Sequence, residues 1–203
     1  MSYSVRHQKV VGILPMGQLP DPAPKIMAAH VSGFLRIRAE MLPAVGAPEY
    51  AMDAGRLQYD AGKIVSHLER QPIDGYEKIL AVLSLDLFVP IFTFVFGESR
   101  QGGRAGIVSL CRLGRNPDGS EPPAPVSYER MAKVGLHELG HLYHLSHCLD
   151  AGCLMHFCGG LGELDETPLR FCRYCRLFIR ESMPDSVPAF GSDQQGTDSD
   201  EPA

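Results

Sequence analysis

The chemistry of this chain concentrates in His137-Glu138-Leu139-Gly140-His141-Leu142-Tyr143-His144-Leu145-Ser146-His147-Cys148. The first five residues read H-E-x-x-H. On a helix, His137 and His141 stand one turn apart on one face, so both imidazoles reach one cation. Glu138 is rotated to a place beside that cation, where a carboxylate takes a proton from a water on the metal. His147 lies six residues beyond His141, out of reach along a continuing helix. If the chain breaks near His144 and turns back, His147 supplies a third nitrogen. Three histidines plus a water make an open, catalytic zinc site. A buried helix carrying histidines by chance is the plainer explanation for a lone histidine. It does not account for four at this spacing with Glu in second place. His144 competes with His147 as third ligand, because it shares the helical face of His137 and His141. Its Cα would stand about 10.5 Å from that of His137 at 1.5 Å per residue. Three side chains strung along a straight helix do not readily converge at ~2.1 Å on one ion. Glu163 and Glu166 are further candidates, since many H-E-x-x-H enzymes take a downstream glutamate.

A second constellation follows directly. Five of the six cysteines lie within 28 residues, and only Cys111 stands apart. Cys148-x4-Cys153 and Cys172-x-x-Cys175 form two close pairs, which together close a tetrahedral site of four thiolates. Such a shell has no open position, so a zinc held there is structural, tying the loop after the active helix to the C-terminal helix. Cys158 follows Cys153 at the same spacing and is an alternative to Cys148. Cys148 directly follows His147, so each zinc would help place the other's ligand. Redox-active thiols that release zinc on oxidation are the competing reading of this cluster.

Several elements must hold these residues. Val10 to Met16 is short, apolar and β-branched, and predicts a buried strand. Asp21-Pro22 predicts an N-cap with proline at the first helical position, followed by a helix with Ile26, His30, Phe34 and Ile37 at helical spacing. His30 and His67 read as structural histidines. Leu42 to Val45 is a candidate second strand, and Asp60 to Gln71 a second helix. Ile79 to Val89 is nearly all apolar and predicts one central strand covered on both faces. Asp86 interrupts it and needs hydrogen-bond partners if buried, as a residue organising a turn. Ile91 to Gly97 and Ile107 to Leu113 predict two more strands, with a flexible turn over Glu98 to Gly106 between them. Ser127 is placed to cap the helix that carries the histidines. Thr167-Pro168 marks a last helix, Pro168 to Ser182. Strands separated by helices and followed by a hairpin-like pair imply an α/β sheet with an antiparallel edge, with the active helix beneath it as the floor of a cleft.

Composition narrows the class. The chain has 203 residues, 44% of them hydrophobic, enough for an ordinary core. No apolar run approaches the ~20 residues of a membrane span. The polar start, Met1 to Lys9, lacks a secretory core, so we expect a cytoplasmic protein with reduced thiols. The formal net charge is −5. Asp185, Asp193, Asp198, Asp200 and Glu201 equal all of it, in a tail without Lys or Arg. With no basic patch there is no electrostatic case for nucleic acid. We expect one compact domain over residues 1–183, divided near 147/148 into a sheet subdomain and a smaller C-terminal one. Residues 184–203 are expected to form a disordered acidic tail.

Together these residues resemble the archaemetzincins, a branch of the metzincin zinc peptidases. The family pattern H-E-x-x-H-x-x-G-x-x-H-C-x4-C-x-M, then C-x-x-C, is matched at His137, Glu138, His141, His147, Cys148, Cys153, Met155, Cys172 and Cys175. Asp86 to Pro90 and Phe94 to Glu98 also look like the family. The resemblance implies a twisted mixed sheet over the active helix, a small zinc-stapled C-terminal lobe, and a tight turn that puts Met155 beneath the catalytic zinc. We expect two zinc ions, peptide substrates and a monomer. By the same analogy Gly103 to Cys111 would be the edge strand that pairs with an extended peptide. The glutamate alternatives explain neither Met155 nor the His147-Cys148 pairing. One position departs: His144 stands where the family has glycine. A left-handed residue is expected there, at a cost on the order of 1 kcal/mol for a non-glycine. Some related zinc peptidases offer a tyrosine shortly after the methionine, and this chain has Phe157 in that place. The implied activity is zinc-dependent hydrolysis of peptide bonds with Glu138 as general base. A zinc-binding scaffold without turnover is the alternative.

Overall fold

A computed structural model describes residues 10–72 and 74–183. The expectations for Met1 to Lys9 and for the tail from Pro184 fall outside these residues. No described helix is long and apolar enough to cross a membrane.

The order is β1 (Val10–Pro15), α1 (Pro22–Leu35), β2 (Arg38–Met41), a 3-10 turn (Glu49–Ala51), β3 (Met52–Asp53), β4 (Gln58–Asp60), α2 (Ala61–Arg70), β5 (Lys78–Leu83), β6 (Leu87–Val89), β7 (Phe92–Val95), β8 (Gly97–Ser99), β9 (Ala105–Ser109), α3 (Leu110–Leu113), α4 (Ala124–Leu142), α5 (Leu161–Glu166) and α6 (Arg173–Ser182). The main sheet runs β2-β1-β5-β9-β8. Its first four strands are parallel, and β8 pairs antiparallel to β9 at the open edge. A smaller sheet runs β3-β4-β6-β7.

The pleat sorts the apolar residues between two faces. Val11, Ile13, Leu80, Val82 and Val108 pack with α1 and α4. Leu14, Ile79, Ala81, Leu83 and Ile107 pack with Ile64, Val65 and Leu68 of α2. Both faces of β1, β5 and β9 are thus covered, which is why β5 reads as an unbroken apolar run from Ile79. Each fully buried Leu or Ile contributes about 1.5–3 kcal/mol through area removed from water.

Several elements differ from expectation, each for a local reason. The apolar stretch from Ile79 does not continue as one strand. It stops after Leu83, and Leu87–Val89 enters the smaller sheet. Asp86 sits at that break and accepts from Arg112 Nε at 2.5 Å, Arg112 Nη2 at 2.8 Å and Gln58 Nε2 at 3.1 Å. The second strand is Arg38–Met41 instead of Leu42 to Val45. Asp21 makes no capping bond; its carboxylate pairs with Lys25 at 2.7 Å. Asp60 does cap α2, accepting from Lys63 N at 3.0 Å. The segment from Glu98 to Gly106 is not simply a turn, because it begins inside β8. The edge strand is therefore Gly97–Ser99, and β9, which lies between β5 and β8, is interior. Helix α4 begins at Ala124, which places Ser127 inside it. The last helix begins at Arg173, because Cys172 caps it by accepting from Cys175 N.

Candidate active site

Helix α4 lies under the main sheet with Met131, Leu136, Leu139 and Leu142 fully buried. This leaves His137 and His141 facing a cleft of about 610 Å³ bounded by β8 on one side and by residues 154–167 on the other. The helix stops where glycine is usual. His144 adopts φ 69°, His144 N donates to His141 O at 2.9 Å, and Leu145 N donates to Gly140 O at 2.9 Å. This is the Schellman pattern of a helix ended by a left-handed residue, made here with histidine. Its ring packs over Gly102, where any side chain would collide with it. Gly102 N donates to His141 O at 2.8 Å, and Gln101 Nε2 donates to His144 O at 2.9 Å and Ser146 Oγ at 3.0 Å. The β8–β9 turn therefore grips the helix end and aims the chain back toward His147.

The donor nitrogens of His137, His141 and His147 lie within 4.8 Å of one another, and His144 is outside the group. Glu163 accepts from Gly159 N at 2.6 Å, and neither it nor Glu166 belongs to the group. His137 Nδ1 sits 2.8 Å from Leu154 O, and His141 Nδ1 sits 2.8 Å from Leu145 O. A carbonyl oxygen only accepts, so both Nδ1 atoms carry the proton and both Nε2 atoms present lone pairs. Those two lone pairs face each other across 3.0 Å. Two acceptors set face to face leave a place that a shared cation can fill. Tetrahedral ligands at ~2.1 Å from zinc stand about 3.4 Å apart, so the spacing fits a metal. Burial lowers the His137 pKa to about 4 and also lowers His141 and His147, keeping the rings neutral and able to ligate.

Glu138 is 8% exposed and stands at the sheet side of the same helix. Its Oε2 accepts from Ser99 Oγ at 2.5 Å. Burial pushes its carboxyl up to about 8, with Glu98 adding to the rise and the Ser99 hydroxyl opposing it. Met155 is fully buried, with its Sδ against Gly140 of the helix, and the neighbouring Leu154 O holds His137. Phe157 packs on the His147 ring with centroids 5.3 Å apart and meets Phe92 at 6.3 Å. No tyrosine lines the described cleft.

The sulfurs of Cys148, Cys153, Cys172 and Cys175 form a second group within 4.8 Å. Cys148 Sγ and Cys172 Sγ are 3.8 Å apart. Four thiolates at ~2.3 Å around one zinc stand about 3.8 Å apart. Cys153 Sγ accepts from Cys172 N at 3.3 Å, and Cys172 Sγ accepts from Cys175 N at 3.5 Å. The pair Cys148 N–Met155 O at 2.8 Å closes the loop, so this cluster braces the turn under the histidines. Cys158 lies outside the cluster, 3.3 Å from Thr167 Oγ1.

Three positioning features escaped the sequence. Ser99 is one. Arg130 and Lys133 of α4 are the others, both buried. Arg130 clasps Asp165 with Nε and Nη2 at 2.7 Å each. Lys133 Nζ donates to Leu164 O at 3.1 Å and Asp165 O at 3.2 Å, a cation at the C-terminal turn of α5. They pin α5, and hence Leu164 and Thr167, as a wall of the cleft.

The model of peptidase family M54 matches residues 31–181. The archaemetzincin of Methanopyrus kandleri is 34% identical over 154 residues, covering 76% of this chain and 84% of that protein. The archaemetzincin of Haloquadratum walsbyi is 29% identical over 173 residues, covering 84% and 99%. Among solved structures, the M. kandleri archaemetzincin superposes with a TM-score of 0.78 at 29% identity, over 90% of this chain and 99% of that one. A zinc-dependent peptidase from Methanocorpusculum labreanum gives 0.75 at 28% identity, over 83% and 99%.

Proposed function

The chain belongs to peptidase family M54 and is a zinc metallopeptidase, and on that premise we propose that Glu138 is its general base and that His137, His141 and His147 hold the zinc. The observation that carries this reading is the pair of Nε2 lone pairs facing across 3.0 Å, each fixed by a carbonyl on its Nδ1, with a buried carboxylate next in sequence. A zinc bound there supplies Lewis acidity toward the scissile carbonyl and acidifies the attacking water. Glu138 accepts the proton of that water as its oxygen adds to the carbonyl carbon. It then gives the proton to the leaving nitrogen as the C–N bond breaks. The open edge of β8 takes the substrate backbone as an added strand. The carbonyl of Leu154 holds His137, Met155 packs under the helix at Gly140, and neither does chemistry. Cys148, Cys153, Cys172 and Cys175 fit a second zinc whose role is structural.

We read the chain further as a cytoplasmic monomer acting on peptides without a nucleic-acid partner. Four thiols grouped for a metal support a reducing compartment, and a net charge of −5 gives no electrostatic case for nucleic acid. The test of the central reading is the zinc-loaded chain against a quenched peptide library, beside Glu138→Gln. The reading expects cleavage by the wild type, its loss in E138Q, and equal zinc in both. Cleavage retained by E138Q would remove Glu138 as the base.

A further inference from the structure

The three residues of β8 do more than border the cleft. In register with β9, Gly97 faces Val108, Glu98 faces Ile107 and Ser99 faces Gly106. Ser109 N donates to Phe96 O at 2.8 Å, so Phe96 and Ser109 form a hydrogen-bonded pair. Antiparallel bonding alternates, which makes Glu98–Ile107 the next such pair. The N–H and C=O of Gly97 and Ser99 therefore point to the open edge, toward the cleft. The Ser99 side chain and the bare Cα of Gly97 fall on the face that meets α4, together with Val108.

The contact between β8 and α4 is unusually close there. A Cβ on Gly97 would stand 2.8 Å from Val134 Cγ1 and 3.0 Å from Glu138 Cγ. A Cβ on Gly106 would meet Ser99 Cβ at 3.1 Å and Glu138 Cβ at 3.6 Å. Glycine on both strands thus clears the space in which one hydroxyl reaches one carboxylate. Ser99 Oγ occupies it, 2.5 Å from Glu138 Oε2 and 3.3 Å from Glu138 O.

We propose that Ser99 is a positioning residue for peptide hydrolysis: its hydroxyl fixes the Glu138 carboxylate while its own backbone receives the substrate strand, so that docking of the peptide and placement of the base are set by one residue. This rests on the reading of Glu138 as general base. The hydroxyl donates to Oε2, which leaves Oε1 as the atom that accepts a proton. A substrate strand added to β8 is held by the backbone of the same residue that aims the carboxylate, so the scissile carbonyl and the base share one reference point. A base held in one rotamer contributes through orientation, which appears in kcat more than in KM.

The experiment compares wild type, Ser99→Ala, Ser99→Cys and Ser99→Thr, all zinc-loaded, on one quenched peptide that the wild type cleaves. Zinc content and thermal midpoint are read for each. The alanine and the size-matched cysteine variant should lose roughly tenfold or more in kcat, as for removal of a bond to a charged acceptor, with KM changed by less than about twofold. Both should keep two zincs per chain, and the threonine variant, which restores the hydroxyl, should recover most of the rate. Wild-type kcat in the alanine and cysteine variants would overturn the proposal. So would a loss explained by missing zinc or unfolding in both, or a threonine variant as slow as alanine. An inactive zinc-loaded wild type would remove the peptidase reading itself, and this inference with it.

Discussion

Gly97→Ala tests how closely the edge strand must approach the active helix. The new methyl would lie 2.8 Å from Ile107 O, 2.8 Å from Val134 Cγ1 and 3.0 Å from Glu138 Cγ. Ordinary contact begins at 3.4 Å, so something must move by about 0.6 Å. Ile107 O is backbone of an interior strand and cannot swing away. Val134 is a stiff β-branched side chain on a helix. The remaining freedom is for β8 to lift off α4 or for Glu138 to turn. Overpacking of this kind costs about 1–3 kcal/mol. At roughly 2–4 °C per kcal/mol for a chain of this size, the midpoint should fall by about 2–12 °C. Because the shift bears on the carboxylate, kcat should fall by about tenfold or more, since displacements near 1 Å cost up to ~100-fold. The assay is differential scanning calorimetry beside peptide turnover on zinc-loaded protein. A variant with wild-type midpoint and wild-type kcat would refute the close approach of β8 and Glu138.

Two further predictions follow from named contacts. Asp165→Asn should destabilise by about 1–2 kcal/mol, a charge-assisted bond discounted for a half-exposed carboxylate. The Arg130 hydrogen bond holds Asp165 below the ordinary carboxylate range against a smaller opposing effect of burial. A depressed folded-state value means stability that is present above the unfolded value near 3.9 and is lost as pH falls through the folded one. The gap between wild type and D165N in a chemical-denaturation series should therefore close below about pH 4, and a gap constant down to pH 2 would contradict it. Gln101→Ala should weaken zinc at the histidine site about tenfold in a chelator competition, because Gln101 fixes His144 O and Ser146 Oγ just ahead of His147. Unchanged affinity would show that the helix end holds its shape without that clamp.

What the sequence made legible was local. His137, His141 and Glu138 are related by helical periodicity alone, and the cysteine pairs by loop spacing. The spacing favours His147 over His144, because three side chains along a straight helix do not readily converge on one ion, and the left-handed turn at His144 brings His147 beside His137 and His141. The shape of the sheet was less legible, because it depends on residues far apart. Gly97-Glu98-Ser99 is three residues long, with a glycine and two polar side chains, so nothing in its pattern marks a strand. Only Ser109 and Gly106, across the ladder, reveal it. The break at Asp86 was visible as a polar interruption, but its partners Arg112 and Gln58 lie 26 and 28 residues away, and only the fold brings them together. Nothing in the sequence marks Arg130 and Lys133 as buried. They are buried because α5, six residues without a strong pattern, lies across them.

The measurement that bears most directly on the whole account is zinc per chain by elemental analysis, at a fixed chelator concentration, for wild type, His147→Ala, His144→Ala and Cys172→Ser/Cys175→Ser. Two zincs are expected in wild type and in H144A, and one in each of the other two variants. Two zincs retained by H147A with one lost from H144A would contradict a zinc centre of His137, His141 and His147.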